Sequence, residues 1–215
     1  MDYRDSVDLS GSHTQRASGG GGGGRMALGG GIGGLVLMLL VVFVGPRLGI
    51  NVSDLLGSGS SQDTQPAVQG SDLDHCKQKD VNVNTNRECR WLLYEKVLQD
   101  YWSKTKPNYR YATVKLFSGT ISTACGVGQT EMGPFYCSGD STVYIDDSYV
   151  GQLLKQLGAS GGDAAELYIV AHEFGHHVQN LDGTMRRVTR GTGADSAQVR
   201  LELQADCYAG VVFNQ

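Results

Sequence analysis

Residues 171–180 read AHEFGHHVQN, which places three histidines and a carboxylate within six positions. On an α-helix each residue turns about 100° and rises about 1.5 Å, so His172 and His176 lie about 40° apart and about 6 Å along the axis. Two imidazoles on adjacent turns of one face can hold a single ion, at about 2.0–2.1 Å each for zinc. His177 is about 140° from His172 and stays outside that chelate. Glu173 lies beside the pair, where its carboxylate can take a proton from a water that the ion activates. A solvated face carrying His and Glu by chance is the rival. Against it, the segment upstream (LYIVA) is apolar and no Lys or Arg occurs between Asp163 and Asp182.

Two histidines leave the ligand set short, because catalytic zinc usually has three protein ligands and a water. Downstream, ELQAD places Glu202 and Asp206 one turn apart on one face. Glu202 is the candidate third ligand. Asp206 can accept a hydrogen bond from the second nitrogen of a ligating histidine and so fix its tautomer. His177 is a candidate for steadying a substrate carbonyl or, equally, a packed structural histidine. Tyr144, Tyr149 and Tyr208 are formal candidates for oxyanion donors, although core or rim packing is the commoner role of tyrosine.

These groups need elements to position them. TNRECRWLLYEKVLQDYW opens with a T-x-x-E capping box at Thr85 and Glu88 and continues at helical spacing to about Trp102. Pro107 follows its end. Strand-like runs come next, YATVKLF at 111–117, PFYC at 134–137 and TVYID at 142–146, the last two flanking SGDS as a hairpin. TVYID is a candidate edge for an extended peptide, or a support for the active-site helix. DSYVGQLLKQLG predicts a helix stopped by Gly158. Asp163 is the expected N-cap of the helix that runs to about Leu181 and carries the histidines. A last helix, AQVRLELQADCYAGVVFNQ, runs to the final residue. Its apolar, uncapped end predicts that a C-terminal portion is missing.

The chain of 215 residues suits one domain with extra segments. Its net charge of −4 offers no basic surface for nucleic acid. Glycine is concentrated near the N-terminus, and residues 1–25 read as a disordered cytoplasmic tail. The uncharged stretch MALGGGIGGLVLMLLVVFV, at 26–44, is long enough for a transmembrane helix, assigned to 26–45. Arg4, Arg16 and Arg25 precede it and only Arg47 follows before Lys77, which predicts the N-terminus inside and the rest outside. Residues 46–75 read as a flexible linker, and the domain occupies 76–215. None of the five cysteines forms a C-x-x-C pair, so no cysteine-based zinc site is expected. In an oxidising compartment Cys76 with Cys89, and Cys125 with Cys137, are candidate disulfides, though sequence does not fix that connectivity. Cys207 is left over.

Taken together, CG at 125–126, GPFYC at 133–137, VYID at 143–146, AHEFGHHVQN at 171–180 and LELQADCYAG at 201–210 resemble the neutral zinc metallopeptidases of bacteria, a family of single-pass membrane proteins. The resemblance covers most of the chain. It implies an α+β, zincin-like domain, mostly helical with a small β-sheet, preceded by one transmembrane helix and a flexible tether. It also implies Zn2+ on His172, His176 and Glu202, with Glu173 as general base and Asp206 behind a ligand. Ser138 stands where the family usually has proline, and family members generally continue well past CYAG. The expectation is a membrane-anchored zinc peptidase acting on a peptide or protein substrate. Its location would be the extracytoplasmic side of a bacterial cytoplasmic membrane. The alternative is a non-catalytic, membrane-tethered zinc-binding assembly or interaction factor.

Overall fold

The computed structural model describes residues 3, 7–17, 73–156, 162–188 and 193–214. The expected transmembrane helix at 26–45, most of the linker and Gly158 lie outside the described residues. Among the described residues, no helix is long and apolar enough to cross a membrane.

The fold is mixed α+β. In chain order it runs through β1 (Thr14–Arg16), α1 (Arg87–Thr105), β2 (Thr113–Phe117), β3 (Thr120–Thr123), β4 (Gly126–Gln129), β5 (Phe135–Cys137) and β6 (Thr142–Asp146). Then come α2 (Asp147–Gln156), α3 (Asp163–Leu181), the short α4 (Thr184–Arg187) and α5 (Ala197–Phe213). Four strands form one sheet in the order β1-β2-β6-β5, while β3 and β4 make a separate hairpin. β1, β2 and β6 are parallel, and β5 runs antiparallel to β6.

Every residue of β6 is buried, which fits its place inside the sheet. Successive side chains of a strand face opposite ways. Val143 and Ile145 accordingly join the main core with Trp91, Leu98, Val170 and Phe174 of the helices. Tyr144 points to the other face and stacks on Phe135 at 5.0 Å. β6 is therefore not the edge expected for TVYID; it is flanked by β2 and β5, and the edges are β1 and β5. Disulfide Cys125–Cys137 ties the β3–β4 hairpin to β5, and Cys76–Cys89 ties the turn at Leu73–Lys77 to α1. Cys207 is exposed and free.

Three further expectations, all in the N-terminal half, are corrected. Residues 7–17 are not a disordered tail: β1 pairs with β2 from Thr14↔Val114 to Arg16↔Leu116, and Leu9 is fully buried. Burying one such side chain stabilises by about 1.5–3 kcal/mol. The linker ends before residue 73, because Leu73 is also buried. No capping box forms at Thr85 and Glu88. The N-cap is Asn86, the Thr85 hydroxyl donates to the Asn82 carbonyl, and the Glu88 carboxylate pairs with Arg16. A long-range ion pair has taken the side chain that a local motif would have used.

Candidate metal centre

The middle of helix α3, from Val170 to Gln179, is buried on all sides and includes the polar groups. Such a helix needs neighbours that satisfy it. At its first turn Glu166 accepts from Arg87 at 3.0 and 2.7 Å and from the Tyr94 hydroxyl at 3.1 Å, which docks α3 on α1. Asp163 is the first helical residue, with Gly162 as cap, and its carboxylate pairs with Arg90. Helix α5 starts from a Ser196 cap that accepts from the Val199 amide at 3.2 Å.

The two helices cross at small residues. A Cβ placed on Gly175 would lie 2.9 Å from both the Cα and the carbonyl oxygen of Ala205, so the backbones approach too closely for a side chain. Ala205 and Ala209 are fully buried at this crossing. Glu202 and Asp206 flank Ala205 and are carried onto the histidine face of α3.

Nε2 of His172 is 3.3 Å from Oε2 of Glu202, and Nε2 of His176 is 3.2 Å from the same oxygen. Donors bound to one tetrahedral ion at about 2.0–2.1 Å stand about 3.3 Å apart, so the spacing matches zinc's coordination shell. All three residues are buried. The His176–Glu202 approach is within ion-pair range but is not aligned as a hydrogen bond. His176 Nε2, Glu202 Oε1 and Glu173 Oε2 are buried without a hydrogen-bond partner. Buried polar atoms are rarely orphaned. Three together, converging with a spacing of this kind, fit a divalent cation.

The far nitrogens are all held. His172 Nδ1 is 2.8 Å from Asp206 Oδ1, which also accepts from the Tyr168 hydroxyl at 2.8 Å. His176 Nδ1 is 2.8 Å from Gln179 Oε1. The Gln179 amide in turn donates to the Leu201 carbonyl at 2.7 Å and to Gln204 Oε1 at 3.0 Å. These acceptors hold a proton on Nδ1 of each ring, so that Nε2, which faces Glu202, is the nitrogen able to give its lone pair to a cation. Burial disfavours the imidazolium of His172, but Asp206, Glu202 and Glu173 outweigh it and raise its pKa to about 10. His176 is also raised, because Glu202 and Glu173 outweigh burial and the neighbouring His172. Burial also opposes charge on Glu202, yet the two histidines hold it below the usual carboxylate range. The pocket thus favours positive charge where the Nε2 atoms meet. Glu173 is raised by burial, against the opposing pull of His176 and His172, and the Tyr136 main-chain amide favours its charged form.

The structure brings together His172, Glu173, His176, Glu202 and Asp206. His177 stands apart: its Nε2 donates to the Arg110 carbonyl at 2.6 Å and its Nδ1 accepts from the Tyr136 hydroxyl at 2.9 Å. Asn180 donates to that hydroxyl at 2.9 Å, so His177 and Asn180 clamp β5 against α3. Tyr144 has its hydroxyl on Asp140, and Tyr208 packs edge-on to Trp102 at 5.5 Å. Gln179, Gln204 and Tyr168 escaped the sequence reading. The one available signal was a glutamine three residues after His176, on the same helical face as His172 and His176.

The sequence profile of the family described as "Putative neutral zinc metallopeptidase" matches residues 1–215. The chain is 42% identical over 167 residues to an uncharacterized protein, Rv2575, of Mycobacterium tuberculosis, covering 76% of this chain and 56% of that protein. It is 38% identical over 184 residues to the uncharacterized protein YpfJ of Escherichia coli K12, covering 82% of this chain and 61% of YpfJ. The chain therefore spans somewhat over half the length of these relatives. No solved structure matches it.

Proposed function

The chain belongs to the putative neutral zinc metallopeptidase family, and from that premise we propose that it is a zinc-dependent peptidase of zincin type. The observation that carries this reading is the meeting of His172 Nε2, His176 Nε2 and Glu202 Oε2 at 3.2–3.3 Å, with the unpartnered Glu173 Oε2 buried beside them. His172, His176 and Glu202 would hold the ion. When bound, zinc would polarise the scissile carbonyl and make water acidic enough to attack at neutral pH.

The chain's own residues do the rest. Glu173 takes the proton of the attacking water at its carboxylate and delivers it to the departing amine. Its burial supports this role, since a carboxylate with a raised pKa is the better proton shuttle near neutrality. Asp206 and Gln179 keep both Nδ1 atoms protonated and so hold the rings in the ligating tautomer. No side chain here serves as a covalent nucleophile. The two disulfides support an extracytoplasmic location, because such bonds persist in oxidising compartments. The substrate class is peptide or protein, and the membrane is reached through the apolar stretch at 26–44.

The test is Glu173→Gln, scored for bound zinc and for cleavage of a peptide library that the wild type cleaves. The expected result is full zinc content with hydrolysis reduced by about 10²–10⁴-fold. Undiminished cleavage would remove Glu173 from the mechanism. A wild type that binds zinc but cleaves nothing, with Glu173→Gln functional in cells, would instead favour the non-catalytic assembly factor.

A further inference from the structure

The strand β1 lies ahead of the apolar stretch at 26–44, yet it is the outer strand of the domain's own sheet. Its attachment has several independent parts. Ala17 continues the pairing by donating its amide to the Leu116 carbonyl at 2.8 Å. The His13 amide donates to Glu95 Oε2 at 3.1 Å, and the His13 ring stacks on Tyr111 at 5.2 Å. Tyr3 exchanges two hydrogen bonds with Asn84, both at 3.0 Å, and Val7 bridges to Val81. Arg16 pairs with Glu88 of α1 and, at 3.3 Å, with Asp147 of α2. Leu9 and Thr14 are buried. On the far side of the connection, Leu73 is buried and Cys76 is bonded to Cys89 of α1. Both ends of the segment 18–72 are therefore fixed to one body.

A strand cannot be hydrogen-bonded into a sheet across a bilayer. We propose that Tyr3 and residues 7–17 are a structural part of the catalytic domain and lie on its side of the membrane, so that the N-terminal segment and the domain are not on opposite sides of it. This replaces the single crossing with the N-terminus inside. It also weakens the charge argument for that crossing: Arg16, one of the three arginines counted before the stretch, is neutralised within the fold by Glu88 and Asp147. The proposal stands on the packing of β1 and does not depend on peptidase activity.

The test uses the full chain, expressed in bacteria and retained in the membrane, with Cys207→Ser to remove the free thiol. Ser10→Cys reports on the N-terminal segment and Lys104→Cys on the domain, both positions being exposed. Each is treated with a membrane-impermeant maleimide on intact spheroplasts and again after permeabilisation. The expected result is labelling of both before permeabilisation. Labelling of Lys104→Cys with Ser10→Cys protected would overturn the proposal. Protection of both until permeabilisation would uphold the shared side and defeat the extracytoplasmic location instead. As a second measurement, Gln15→Cys with Lys115→Cys joins two residues in register across β1 and β2. It should cross-link within one chain in membranes, whereas failure to do so in zinc-loaded protein would contradict the pairing.

Discussion

At the scale of residues, the site depends on what stands behind each ligand as much as on the ligands. Gln179 is the clearest case, since it accepts from His176 and donates twice into α5. Gln179→Ala should weaken zinc binding by about 10–100-fold, measured by competition with a chromogenic chelator. Gln179→Glu should restore most of it, because a carboxylate can accept from the same Nδ1. Equal affinity in wild type and Gln179→Ala would mean that the contact orients nothing. The pairing of His172 with His176 beside Glu173, and of Glu202 with Asp206, was legible in the sequence because spacing alone sets the face of each helix; the meeting of the two faces depends on how α3 packs on α5. Gln179 and Tyr168 were not, since their partners sit on another helix or depend on a rotamer. The exclusion of His177 was legible too, but its work on Tyr136 and Arg110 was not.

At the scale of elements, the decisive contact is the crossing of α3 and α5 at Gly175 and Ala205. Alanine has the better helix propensity by about 1 kcal/mol, yet Gly175→Ala should destabilise. Its Cβ would meet backbone atoms at 2.9 Å that cannot rotate away. Overpacking of this kind costs about 1–3 kcal/mol, and pushing α5 outward would carry Glu202 from the histidines. A lowered denaturant midpoint together with lost zinc affinity is expected; a midpoint at or above wild type would show that the helices can part freely. The longer helices were readable from periodicity, whereas the short α4 falls in a stretch that reads as a loop of mixed charge. β1 was not, because three residues before a glycine run carry no strand pattern and owe their conformation to an open edge of β2. β3 and β4 were missed because GVGQ has little β propensity; the hairpin is fixed by pairing and by the Cys125–Cys137 bond.

At the scale of the whole molecule, two disulfides tie α1 and β5 to the segments beside them. The disulfides close loops with separations of 13 and 12 residues, and closing loops of that size stabilises by about 2–4 kcal/mol. Replacing Cys76 and Cys89 with Ala should therefore lower stability in denaturant titrations by that order and loosen β1, whose Arg16 pairs with Glu88 beside the bond. Unchanged stability would assign the bond no structural role. Charge balance and composition argued against a nucleic-acid partner but could not reveal that residues 7–17 fold into the domain, because sidedness was inferred from arginines without their partners. If the site is what its geometry suggests, His172, His176 and Glu202 together bind one zinc ion. Metal content per folded chain, measured by atomic emission on wild type, His176→Ala and Glu202→Ala, tests it most directly. The prediction is one equivalent of zinc in the wild type and near-complete loss in both variants, whereas unchanged zinc in folded His176→Ala and Glu202→Ala would contradict the site.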